Sequence, residues 1–117
     1  MEQLSIEGVA KAFSDHRFDE AFPYLLDDVR WNLIGADPVE GADAVEAVCR
    51  TTAAELSDIE TTFTDFKVLV GSDFVVVDSR ATYRGSDGTS RVASCDIYQF
   101  QGRLLSELTS FNVELTP

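Results

Sequence analysis

The second half of the chain consists of four long segments of two-residue period, broken only by short turns. That pattern limits the folds available to it. Apolar and polar residues alternate from Ile59 to Val70, Phe74 to Arg84, Thr89 to Phe100 and Arg103 to Leu115. The breaks are Gly71-Ser72-Asp73, Gly85-Ser86-Asp87-Gly88 and Gln101-Gly102, residue types that adopt turn conformations readily. Successive strand side chains point to opposite faces, so each segment has one more apolar face to bury. Successive hairpins make an antiparallel meander, and strands this long twist and curl the sheet they form.

The first half has a different period. Ile6, Val9, Ala12 and Phe13 recur at helical steps between about Ser5 and Asp15. Phe18, Ala21, Phe22 and Leu25 mark a second helix, which Pro23 keeps short or bends. Val29 to Ile34 reads as a short strand, and Gly35-Ala36-Asp37-Pro38 as a loop. Gly41 opens the best helix, with Ala42, Val45, Val48, Cys49, Thr52, Ala53 and Leu56 on one face. Helices followed by a meander predict an α+β fold. The expected shape is a cone: a curled antiparallel sheet (the short strand plus the four-strand meander) closed by three N-terminal helices. At 117 residues the chain is expected to form one domain, 1–117.

Charge narrows the partners. Nine basic residues against 21 acidic ones leave a net charge of −12. Such a field repels phosphate backbones and anionic headgroups, so neither nucleic acid nor a membrane surface is expected as a partner. Only Lys11 and Lys67 are lysines. An acid-rich, lysine-poor surface suits high salt, but a GC-rich genome also favours arginine, and both explanations stay open. Cys49 and Cys95 lack metal-ligand spacing and are expected as free, buried thiols in a reducing compartment. No His/Cys cluster, glycine-rich phosphate loop or Gly-x-Ser-x-Gly elbow occurs, so no metal and no cofactor is expected. Met1-Glu2-Gln3-Leu4 does not start a signal peptide, and no apolar run approaches the roughly 20 residues of a membrane span. The expected location is cytoplasmic.

Strand parity predicts which side chains enter the cone. The sets are Val75, Val77, Ser79, Ala81 and Tyr83; then Val92, Ser94, Asp96, Tyr98 and Phe100; then Leu105, Glu107, Thr109, Phe111, Val113 and Leu115. Trp31 or Asn32 would stand near the mouth. The expected lining is Trp31, Asn32, Val77, Ser79, Tyr98, Thr109 and Phe111, a mostly apolar site for a small apolar molecule. Asp96 and Glu107 interrupt inward apolar sets on adjacent strands. Desolvation and mutual repulsion would raise at least one pKa, giving a donor and a base. The competing reading has Asp96 bonded to Tyr98, Asn32 or a backbone N–H, and Glu107 reaching solvent. His16, the only histidine, reads as a solvated or capping residue in a polar Asp-His-Arg corner. The opposite sheet face, with Ala93, Cys95, Ile97, Leu104 and Leu108, is expected to form a homodimer interface.

Three segments resemble the nuclear transport factor 2-like superfamily, particularly its SnoaL-like and ketosteroid-isomerase-like members. They are Phe22-Pro23-Tyr24-Leu25-Leu26-Asp27-Asp28-Val29-Arg30-Trp31, Glu40-Gly41-Ala42-Asp43-Ala44-Val45, and Ser94-Cys95-Asp96-Ile97-Tyr98-Gln99-Phe100-Gln101-Gly102-Arg103-Leu104. The resemblance implies a cone with a small-molecule pocket and a cofactor-free acid–base enzyme of isomerase, cyclase or hydrolase type. The alternative is a non-catalytic ligand carrier or dimerisation module of the same fold. Against the ketosteroid isomerases, Asn32 stands where the aspartate base would be, Val9 or a neighbour replaces the oxyanion-hole tyrosine, and Asp96 matches the protonated aspartic acid. Against the limonene-epoxide hydrolases, Ser79, Ala81 and Thr109 replace the Asp-Arg-Asp set, unless a one-residue shift brings in Asp78 and Arg80. Glu107 is nearest to the acidic residue of SnoaL-type cyclases.

Overall fold

The computed structural model describes residues 3–115. Helix α1 (Ile6–Ser14) begins at Ser5, whose hydroxyl accepts the Gly8 N–H at 3.1 Å. It ends without a glycine. The Arg17 N–H bonds to the Ala12 carbonyl at 2.8 Å and the His16 N–H to the Phe13 carbonyl at 3.2 Å. This pair of bonds closes a helix on a left-handed residue, here His16 at φ 72°. A residue with a side chain pays about 1 kcal/mol for that conformation. Helix α2 (Phe18–Ala21) has four residues and runs into a single 3-10 turn, Phe22–Tyr24. Pro23 sits in that turn, where a missing N–H costs no helix bond.

Strand β1 spans Leu25–Leu33 and a two-residue strand β2 spans Val39–Glu40. Gly41, at φ 94°, donates its N–H to the Val29 carbonyl at 2.8 Å and so ties the start of helix α3 (Ala42–Leu56) to β1. Strands β3 (Glu60–Val70), β4 (Phe74–Gly85), β5 (Gly88–Gln101) and β6 (Leu104–Leu115) form the expected meander. The sheet order is β2-β1-β6-β5-β4-β3, in a curled sheet that does not close. β1 runs parallel to β6, which makes the sheet mixed where the sequence suggested wholly antiparallel pairing. Periodicity sets the faces of a strand and is blind to the direction of its neighbour. Helix α1 lies against β4 and α3 against β1, covering the concave face. No helix among the described residues is long and apolar enough to cross a membrane.

Phe13 is the hub of the core. Its ring meets Trp31 at 5.1 Å, Phe18 at 5.3 Å and Tyr98 at 6.0 Å between centroids, all edge to face. Val75, Val77, Tyr98, Leu105 and Leu108 are fully buried around it. Cys49, on α3, is also buried, Cys95 is partly buried, and both are free thiols.

The last strand departs from simple alternation. Phe100 pairs with Leu105, but Gln99 pairs with Glu107, so Ser106 is an extra residue. The Ser106 hydroxyl donates to the Gln99 carbonyl at 3.0 Å. A one-residue slip exchanges the two faces of everything beyond it. Leu108 and Ser110 therefore point inward, 1% and 3% exposed, while Phe111 and Val113 point outward at 42% and 59%. The inward placement of Glu107, Thr109 and Phe111 is thus corrected, and so is the outward placement of Leu108. The register predicts an asymmetric response in urea denaturation. Leu108→Ala costs about 2–5 kcal/mol, and Thr109→Val stays within about 1 kcal/mol. The reverse order would mean that no bulge exists.

Candidate functional site

The curled sheet and its helices enclose a cavity of about 260 Å³. Its walls carry Phe13, Phe18, Trp31, Phe63 and Tyr83, with Ser14, His16, Ser79, Ser94, Asp96, Ser110 and Asn112 among them. The buried polar residues of the described chain are Ser14, Ser79 and Ser110, and all three line this cavity. Polar groups in a core need partners.

Their organising group is Asp96, on β5. The Ser14 hydroxyl, from the end of α1, donates to Asp96 Oδ2 at 2.9 Å. The Ser14 and Tyr98 hydroxyls are 2.6 Å apart. A serine has one hydrogen, so with it given to the carboxylate, Tyr98 is the donor to Ser14. On the other side the Trp31 indole N–H donates to Ser110 Oγ at 2.9 Å. An indole nitrogen only donates, which leaves the Ser110 hydrogen for its bond to the Asp96 side chain. Two relays, Tyr98 to Ser14 and Trp31 to Ser110, therefore converge on one carboxylate. Among the described residues no cation pairs with it. Burial raises the Asp96 pKa, and the Ser110 and Ser14 bonds oppose that rise only in part. Burial, followed by the nearby Asp96 charge, also pushes the Tyr98 phenol well above its ordinary range.

The predicted site residues separate into two groups. Trp31, Ser79 and Asp96 line the cavity. Val77 and Tyr98 share that face but stand deeper in the core, with no exposure. Asn32, Glu107, Thr109 and Phe111 do not line it. Trp31 and Asn32 are neighbours on one strand and must face opposite ways. On the convex side Asn32 Nδ2 donates to Glu107 Oε2 at 2.8 Å and to Thr109 Oγ1 at 3.2 Å, and Arg30 Nε donates to Asn32 Oδ1 at 2.8 Å. Glu107 thus belongs to a surface network and not to a pair with Asp96. Asp78 and Arg80 also stay outside, ion-paired at 2.6 Å, so the shifted register does not occur.

Ser14, His16 and Ser110 were not anticipated at the site. Ser110 was hidden by the bulge, because simple alternation assigns it to the other face. His16 closes α1, as the capping reading had it, but it is not solvated. Its ring lies in the cavity wall beside Phe18, Phe63 and Tyr83, at 5.5, 5.7 and 6.2 Å between centroids. Burial lowers its pKa, with the Asp15 charge pulling the other way. The available signal was a helix stop with no glycine, which forces a side-chain-bearing residue into the left-handed position and turns the following chain sharply.

A curled sheet closed by helices is the architecture of the nuclear transport factor 2-like class. Solved structures of that class match over nearly the whole chain. A nuclear transport factor 2-like protein of unknown function from Cytophaga hutchinsonii has a TM-score of 0.79 and 25% identity, covering 90% of this chain and 93% of its own. A candidate SnoaL-like polyketide cyclase from Jannaschia sp. CCS1 matches at 0.69 and 17%, covering 96% and 90%. A candidate isomerase from Rhodopseudomonas palustris matches at 0.65 and 21%, covering 89% and 82%. The last two likenesses are of fold alone. Within the class, the chain belongs to the SnoaL-like domain family, whose match spans residues 6–108. No curated protein matches it significantly.

The elevated carboxyl makes a pH prediction. Folded Asp96 keeps its proton to higher pH than it does in the unfolded chain. The stability this confers is complete below the ordinary carboxyl pKa and is lost as pH rises through the elevated one. Asparagine stays neutral throughout. The melting temperature of Asp96→Asn should therefore gain on wild type by a few degrees between about pH 4 and pH 8. A difference independent of pH would show that Asp96 ionises normally.

Proposed function

We propose that the chain binds a compact, uncharged, largely apolar molecule in the inner cavity and exchanges a proton with it at Asp96, without a cofactor. One observation carries this reading: a buried carboxyl with no cation beside it, held by two hydroxyl relays on the wall of a hollow that aromatic rings share with polar side chains. A carboxyl made less acidic by burial holds its proton to higher pH than an exposed one, and can give it up and take it back. The acidic surface and the Asp96 carboxylate both disfavour anions. The 260 Å³ volume is that of about nine waters and falls short of the roughly 300 Å³ at which drug-sized sites begin. One or two rings fit. The descriptions of the related structures, a candidate cyclase and a candidate isomerase, are of the same broad chemistry.

The test is exchange of α-hydrogen in 2-tetralone, a two-ring ketone, followed by proton NMR in deuterated buffer. Wild type should accelerate exchange over buffer, and Asp96→Asn should reduce that acceleration about 100-fold or more. Equal acceleration by folded Asp96→Asn would overturn the assignment of Asp96. A non-catalytic carrier is the second reading. It is favoured by the outward placement of Asn32 and Glu107, which leaves a single carboxyl in the cavity. Saturable binding of 2-tetralone with no exchange above buffer would establish the carrier and sink the catalyst.

The convex face is proposed to join two copies of the chain. Its cross-strand pairs Cys95–Phe111 and Ala93–Val113 expose apolar surface beside Ile97. Light scattering at micromolar concentration should give twice the chain mass in both low and high salt. A monomer in both buffers would refute the interface.

A further inference from the structure

We propose that His16 is the second polar contact of the ligand, accepting a hydrogen bond from a hydroxyl on the compact ring compound that the cavity takes. This rests on the binding reading above and narrows the ligand to a hydroxylated one. Three structural observations support it. The His16 ring lies in the wall of the same cavity as Asp96. Among the described residues no hydrogen bond or ion pair engages its ring nitrogens, although Asp15 is its sequence neighbour. The Asp15 carboxylate is occupied by Arg17 Nε, at 2.8 and 3.0 Å. Finally, the backbone at position 16 is left-handed, at φ 72°, in a helix cap made entirely by main-chain bonds. Glycine suits that cap best, so the turn itself does not require an imidazole. A strained residue whose side chain enters a cavity with its nitrogens unengaged is a mark of function.

The chemistry of the surroundings sets what His16 offers. Phe18 on α2, Phe63 on β3 and Tyr83 on β4 surround the ring, and Asp15 and Arg17 flank it in the chain. Asp96 on β5 shares the cavity. Burial lowers the imidazole pKa, and a neutral imidazole has one nitrogen free to accept. Asp96 already receives hydrogens from Ser14 and Ser110. A ligand hydroxyl in this cavity therefore finds an uncommitted acceptor at His16, while aromatic walls take its rings.

The experiment compares 2-naphthol with its methyl ether, which has the same rings but no hydrogen to donate. The chain has one histidine, so its imidazole resonances need no assignment. At pH 7 the wild-type protein should bind 2-naphthol about five- to tenfold tighter than the ether, the range of one neutral hydrogen bond. Only the naphthol should move the imidazole nitrogen signals. His16→Gly keeps the left-handed turn and should narrow the preference to less than about twofold. His16→Asn, which also tolerates that turn but has a shorter side chain, should behave likewise. A preference that survives in either folded variant overturns the inference, as does equal binding of the two probes by wild type. In those cases the cavity reading stands, because both probes still bind the wild type. Failure of both probes to bind wild type would overturn both readings.

Discussion

A carboxyl group on the concave face of a curled sheet has to be solvated by the protein itself, and much of the interior is arranged around that need. Asp96 draws Ser14 from α1 and Ser110 from β6. Those two hydroxyls in turn engage Tyr98 on β5 and Trp31 on β1. Elements α1, β1 and β6 are thereby tied to one side chain on β5. No buried side-chain polar atom among the described residues is left without a partner. A buried network of this kind is costly when incomplete and specifying when complete. The carboxyl lines the cavity together with both serines, and among the described residues no cation neutralises it.

The two faces of the sheet divide the polar residues between different tasks. Inside, hydrogen bonds are shielded from water and shift proton affinity. Outside, Arg30 bridges Asn32 and Glu40, Asn32 reaches Glu107, and Asp78 pairs with Arg80. These convex contacts are partly or fully exposed, and such pairs contribute little individually. Their use is local: Arg30 and Glu40 hold the two-residue β2 against β1, and Asn32 with Glu107 and Thr109 stitches β1 to β6. The parallel β1–β6 contact joins the first half of the chain to the last strand, and so brings Trp31 to Ser110.

Much of this was legible in the residues. The parity of β4 and β5 was correct throughout, so Ser79 and Asp96 were placed on one face from alternation alone. Parity failed on β6 because one extra residue, Ser106, leaves no mark in a period-two pattern. That single bulge carried Glu107, Thr109 and Phe111 to the wrong face and concealed Ser110. Asn32 was misplaced for another reason: Trp31 and Asn32 were both admitted to the mouth, though adjacent strand residues cannot both enter it. His16 was read as solvated or capping: it does close α1, but it is not solvated, because the fold packs three aromatic rings from α2, β3 and β4 against it.

What the sequence determined by itself was the α+β class, the order of the three helices, the first strand and the four-strand meander (though not the two-residue β2), and the inward carboxyl at position 96. Each follows from periodicity and turn chemistry, which act over a few residues. Tertiary structure decided the direction of β1, the faces of β6 beyond its bulge, and the meeting of Ser14, Trp31, Tyr98 and Ser110 around Asp96. It also decided that His16 lines the same hollow. Those outcomes depend on contacts between segments up to 84 residues apart, as between Ser14 and Tyr98. No local pattern encodes such a distance, because it is set only when the curled sheet closes over the helices.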